Sequence, residues 1–185
     1  MKLDPTSYLG EVDEKVMRLL ASDSVTSFSF QGMKRSLKLH QEKLSRSLNR
    51  LVSTGLVGRA DGGYAITKKG IRMMGSSAQE LQSVVVATSY LPHDIDADAA
   101  PAALKGKWFS GVRWLGSSPS SLGTDLKWVS DDGETQIKVS IRDRMLEVSL
   151  VSYPAGEATW ARDLAIRLHG KIMNTLCRHA PTQDS

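Results

Sequence analysis

Apolar residues recur every three or four positions near both ends of this chain and every two positions between them. A helix repeats every 3.6 residues and a strand every two, so one element type cannot hold the whole sequence. The early run Val12–Ala21 places Val12, Val16, Leu19 and Leu20 on one helical face. From 123 to 151 the pattern alternates. Leu126 and Trp128 share a face, as do Ile137, Val139 and Ile141, and Leu146, Val148 and Leu150. From about Glu157 to His179, Trp160, Leu164, Leu168, Ile172 and Leu176 recur every four residues. The expected fold class is α+β, with helices leading, an antiparallel meander following and a last helix covering one sheet face.

At 185 residues the chain fits one average domain or two small ones. With 41% hydrophobic and 24% charged residues, wholesale disorder is excluded. The single Cys177 rules out an intramolecular disulfide and any cysteine-based zinc cluster. No basic start leads into an apolar run and no 18-residue apolar stretch occurs, so neither a secretory signal nor a membrane span is read. A cytoplasmic protein is expected.

Charge divides the chain. Residues 1–75 carry a net of +6 and residues 76–185 a net of −2. From Lys34 to Arg72, 10 Lys and Arg stand against Glu42 and Asp61, a net of +8. Such a field attracts a polyanion, although a solubilising basic face has the same composition. Local architecture separates the two readings. A polar stretch, Ser22–Ser29, breaks the first helix. FQGMKRSL then forms a short helix with Phe30, Met33 and Leu37 inward, Lys38-Leu39-His40 turns, and Leu39 plugs the angle.

A further helix follows, HQEKLSRSLNRLVSTG. Leu44, Leu48, Leu51 and Val52 make its buried stripe, while Gln41, Glu42, Ser45, Arg46 and Asn49 lie on the other side. Gln and Asn can pair with adenine edges, and Arg can bridge guanine acceptors or hold a phosphate. Gly55 suits the left-handed residue past the helix end. Leu56-Val57 and AIT are the arms of a hairpin turned by Asp61-Gly62, with Arg59 at its base and little side chain at its tip. Thr67 caps a helix starting KKGIRMM, although Gly70 leaves the capping box incomplete.

The segment LKLHQEKLSRSLNRLVSTGLVGRADGGYAITKKG, Leu37–Gly70, resembles the winged helix-turn-helix DNA-binding regulators of bacteria and archaea. The parts that carry the resemblance are Ser45-Arg46 within the second helix, L-x-x-x-G-L-V from Leu51 to Val57, and Y-x-I-T-x-x-G from Tyr64 to Gly70. It covers about residues 10–75. By position it implies that Gln41, Glu42, Ser45, Arg46 and Asn49, with Lys38, His40 and Arg50 beside them, face bases and phosphates. Arg59, Gly62 and Gly63 fall in the wing. The implied function is transcriptional regulation through double-stranded DNA, as a homodimer whose dimer helix falls within 71–91. A small-molecule or protein effector is the open further partner. The alternative is a protein docking module of a transcription or replication complex.

Beyond the resemblance, residues 71–91 read as one interrupted helix or as a helix and then a strand, and both remain open. Residues 92–103 read as a linker or exposed loop. His93, Asp94, Asp96 and Asp98 begin like a calcium loop, but Ala99 and Lys105 stand where Gly and Glu are required, so no metal and no cofactor are assigned. Four strands are expected after this: Lys107–Gly116, Gly123–Ser130, Thr135–Ile141 and Met145–Val151. The domain division is thus 1–75, a connecting segment 76–104, and an α+β domain 105–185 for dimerisation or effector sensing. Trp108, Trp114, Trp128 and Trp160 fit a core, an interface or a pocket. His169 and His179 have no acid at fixed spacing and receive no chemistry. No P-loop, dinucleotide glycine pattern, nucleophile motif or metal motif is present, so no enzymatic activity is expected.

Overall fold

In the first unit several helix ends fall at a capping side chain or a turn residue. The structure, a computed structural model, describes residues 9–74, 83–120 and 123–178. It is mixed α+β and divides into two compact units, Met1–Leu81 and Gln82–Ser185. In the first unit α1 (Glu11–Ser22) opens with Glu11, Asp13 and Glu14, whose charges favour a helix N-terminus. After it come β1 (Ser27–Phe28) and α2 (Phe30–Ser36). Ser29 caps α2, its Oγ accepting from the Gly32 N–H at 3.1 Å. Lys38 takes a positive φ of 52°, which turns the chain into α3 (Gln41–Ser53).

α3 ends in a Schellman motif. Gly55 has φ 73°, the Leu56 N–H donates to the Leu51 carbonyl at 2.9 Å, and the Gly55 N–H to that of Val52 at 3.0 Å. β2 (Val57–Ala60) and β3 (Gly63–Ile66) then form the hairpin, paired from Val57↔Ile66 to Ala60↔Gly63, with Gly62 at φ 78° in its turn. Thr67 caps α4 (Lys68–Met73) by accepting from the Gly70 N–H, and donates to the Gly55 and Leu56 carbonyls at 2.7 and 3.1 Å. Gly70 departs from the capping box for a packing reason. A Cβ there would stand 2.4 Å from the Leu56 carbonyl oxygen.

Two expectations in this unit change. The stretch Ser22–Ser29 is more than a break, because β1 joins the hairpin through Phe28↔Tyr64 to give the order β2-β3-β1. On α1 the buried face is Asp13, Val16, Met17, Leu19 and Leu20, with Val12 only half-buried. Leu44, Leu48 and Leu51 of α3 are buried as expected, opposite α1, whereas Val52, expected in the same stripe, is only half-buried.

The second unit contains β4 (Val84–Tyr90), α5 (Ala100–Leu104), β5 (Val112–Ser120), β6 (Gly123–Ser130), β7 (Gln136–Arg142), β8 (Met145–Ser152) and α6 (Ala158–Arg178). Its strands are antiparallel in the order β5-β6-β7-β8-β4. The expected meander is β5 to β8, and α6 lies over β8 and β4. Ala161, Leu164, Ala165, Leu168, Ile172 and Leu176 are its buried stripe. Trp160, expected in that stripe, is 40% exposed.

One open choice is settled and three expectations are corrected. Within 71–91 the choice resolves to a strand over Val84–Tyr90; the interruption expected at Gly75-Ser76-Ser77 lies outside the described residues, as does His179. The segment 92–103 is not a linker, since Ile95 and Ala100 join Leu91 and Leu104 in the core of the second unit. The boundary falls at Leu81/Gln82, so β4 and α5 belong to this unit and not to a connection. The first expected strand begins later, at Val112. Before it Phe109 and Val112 exchange backbone hydrogen bonds around Ser110-Gly111, where Gly111 has φ 91°.

Candidate functional site

α3 presents two faces of opposite character. Its Leu44, Leu48 and Leu51 stripe is buried, so the same helical geometry turns Glu42, Arg46 and Asn49 outward, and all three are exposed. Gln41 is exposed on one flank with Ser45 half-buried beside it. Lys38 and His40 are exposed in the preceding turn; His40 is the N-cap residue of α3, without a side-chain cap bond. The structure therefore brings Lys38, His40, Gln41, Glu42, Ser45, Arg46 and Asn49 onto one end and one face of α3.

The two arginines of α3 differ. Arg46 pairs with Glu42 one turn earlier, and both side chains are about three-quarters exposed. Arg50 reaches in the other direction. Its Nε donates to Asp13 Oδ2 at 2.7 Å and its Nη2 to Asp13 Oδ1 at 2.6 Å. Ser47 Oγ adds a bond to Asp13 Oδ1 at 2.5 Å. This bidentate clasp ties α3 to α1 around a buried carboxylate. Burial opposes ionisation of Asp13, but the bonds from Arg50 and Ser47 and the Arg50 charge outweigh it and hold the carboxyl below its ordinary value. Asp13 was missed by the sequence reading, although it lies three residues before Val16 and four before Met17, on the face that packs inward.

The hairpin supplies the second part of the surface. Arg59 is exposed on β2, its guanidinium 5.9 Å from the ring centre of Tyr64 on the paired strand. Gly62 is exposed at the tip. Gly63 is half-buried because β1 runs beside it, and a Cβ there would stand 2.1 Å from the Phe28 carbonyl oxygen. Ser27 Oγ also donates to the Asp61 carbonyl at 3.1 Å, which braces the tip against β1. Lys68, Lys69 and Arg72 are exposed on α4.

The second unit offers a cavity of about 760 Å³ between the 93–98 loop and the β7–β8 turn. Two of its lining side chains, Arg144 and Asp96, are engaged by backbone groups. Arg144 Nη2 donates to the carbonyls of Leu91, Pro92 and Ile95, and Asp96 Oδ1 accepts from the N–H groups of Asp98 and Ala99. These bonds fasten the loop to the sheet. Two of the four tryptophans take the expected core role. Trp114 and Trp128 are core residues in edge-to-face contact at 5.2 Å, whereas Trp108 and Trp160 are at the surface. Between β4 and α6, Ser89 Oγ and His169 Nε2 are 2.8 Å apart, and burial lowers the His169 pKa. Cys177 is a free, exposed thiol.

Among the described residues no group of three or more His, Cys, Asp or Glu is placed to hold a metal ion, and no helix is long and apolar enough to cross a membrane. Compared with family models, with curated proteins and with solved structures, the chain matches none.

Proposed function

We propose that the first unit is a winged helix-turn-helix that binds double-stranded DNA, and that the protein is a transcriptional regulator. The observation that carries this reading is the outer face of α3. It presents Glu42, Arg46 and Asn49, flanked by Gln41 and Ser45, with no apolar side chain among them, opposite a fully buried leucine stripe. A helix of that width can enter a major groove, and these residue types can donate to and accept from base edges. The hairpin supports the reading in a second way. Its bare Gly62 tip and the Arg59 cation beside it suit close approach to a phosphate backbone. The charge balance points in the same direction, since the stretch Lys34–Arg72 is strongly positive.

Within this reading Arg50 leaves the set of DNA contacts, because Asp13 already engages it through two bonds. Gly63 also leaves it, because its missing side chain serves β1. A homodimer would place two α3 helices on half-sites one turn apart, with the second unit supplying dimerisation or effector sensing. The test is titration of duplex DNA across a salt series. Saturable binding that weakens steeply with salt is expected. No binding at low salt would overturn the reading and favour a docking module of a transcription or replication complex.

A further inference from the structure

β4 has the composition of an interior strand at the edge of a sheet. Its sequence, VVVATSY, is rich in β-branched residues and ends in tyrosine; it contains no charge, proline or glycine. Among the described residues it pairs only with β8, so one row of its N–H and C=O groups faces no strand. Edge strands ordinarily shield such a row with lysine, proline, inward charges or a covering segment. The one such device in β4 is the register shift between Val85 and Ala87. Val84, Val85 and Tyr90 are 55%, 52% and 75% exposed.

α6 continues the apolar surface. Ser89 Oγ contacts His169 Nε2 at 2.8 Å and Met173 Sδ at 3.6 Å, so the flank of α6 bearing residues 169 and 173 lies over β4. Ile166, three positions before His169 and seven before Met173, belongs to that flank and is 46% exposed. Strand edge and helix flank therefore form one margin of the second unit, uncharged along β4, with exposed Arg162 and Asp163 a turn before Ile166 on α6.

We propose that this margin is the self-association surface of the protein. A second copy of the chain pairs its own β4 antiparallel to the first across a two-fold axis, with the Ile166 flanks of the two α6 helices alongside. An isologous strand pair of this kind satisfies the open backbone row of both copies at once. A second copy fits better than an extended charged partner. The seven residues of β4 carry no charge, so a copy meets no like charge opposite, while an acidic or basic segment would find no counter-charge there. The exposed valines, Tyr90 and Ile166 add the apolar area that backbone pairing alone lacks.

The test uses the full chain without DNA, so its outcome is separate from that of the DNA titration. Sedimentation across a micromolar concentration range should show wild type at twice the mass of the chain. Val85→Lys places a charge at an exposed position on the edge and should weaken association roughly tenfold or more, with an unchanged circular dichroism spectrum. A measurement on the wild type alone removes any dependence on that variant: hydrogen exchange of the Val84–Tyr90 amides should slow as concentration rises. A monomeric wild type would overturn the proposal. So would a dimer that Val85→Lys leaves as tight, or exchange in β4 that does not depend on concentration.

Discussion

Arg46 and Arg50 stand one helical turn apart on α3 and have opposite fates. Arg46 pairs with an exposed carboxylate that competes weakly in water, and so stays available to a polyanion. Arg50 is clasped by a buried one. Arg46→Ala should therefore weaken duplex binding several-fold and lower the magnitude of the salt slope by about 0.9 for one lost phosphate contact, with no change in the urea midpoint. Arg50→Ala should do the reverse, lowering the midpoint and leaving the salt slope of the folded protein in place. Equal effects of the two substitutions on both measurements would mean that the faces of α3 are wrongly assigned. Asp13 adds a pH dependence. Its folded pKa lies below the ordinary 3.8, so its contribution is complete above that value and is lost as pH falls through the folded value. Urea melts below about pH 5 should show wild type losing stability with falling pH more steeply than Asp13→Asn, and parallel curves would remove Asp13 as the cause.

At the level of elements, segments that lacked a strong periodic pattern turned out to be structural. Ile95 is 4% exposed within a stretch rich in Asp, Ala and Pro, and Arg144 binds three carbonyls around it. Ile95→Ala should cost about 2–5 kcal/mol by lost burial and a residual cavity, and the 92–103 segment should resist limited proteolysis until the second unit unfolds. Early cleavage there, with Ile95→Ala neutral in a chemical melt, would return the segment to the status of a loop. The α6–β4 contact carries its own pH response. Burial holds His169 below its ordinary value of 6.5, so the fold favours the neutral ring. That stabilisation is present above the unfolded value and declines as pH falls through the folded one. His169→Gln keeps a hydrogen-bonding group but cannot titrate, and its melting temperature should vary less than that of wild type between about pH 7 and pH 5. An identical pH profile in the variant would exclude this histidine.

On the scale of the whole molecule the two units differ in charge as well as in architecture. Met1–Leu81 carries a net of +5 and Gln82–Ser185 a net of −1. Expressed separately, the first fragment should bind duplex DNA, more weakly than the full chain if pairing of two copies through β4 is lost with the cut. The second should not bind duplex DNA but should retain self-association. DNA binding confined to the second fragment would reverse this division of labour, and sedimentation of each fragment with electrophoretic shifts on DNA separates the outcomes.

Periodicity was legible wherever an element buries one face by itself. The α3 stripe, the Gly55 stop, the Asp61-Gly62 hairpin, three strands of the meander and the α6 stripe follow from spacing and turn chemistry because each depends on near neighbours in the chain. What escaped the sequence depends on distant partners. β1 is two residues long and exists because β3 passes beside it. β4 became a strand because β8 offers it a ladder, in a stretch where local propensities conflicted. Asp13 stands in the first turn of α1, and only the approach of Ser47 and Arg50, 34 and 37 residues away, makes its burial affordable. The same approach engages Arg50, one of the residues expected to face DNA, with Asp13. Spacing along a chain encodes which side of an element is apolar, whereas the pairing of a buried charge is set by what the fold brings next to it.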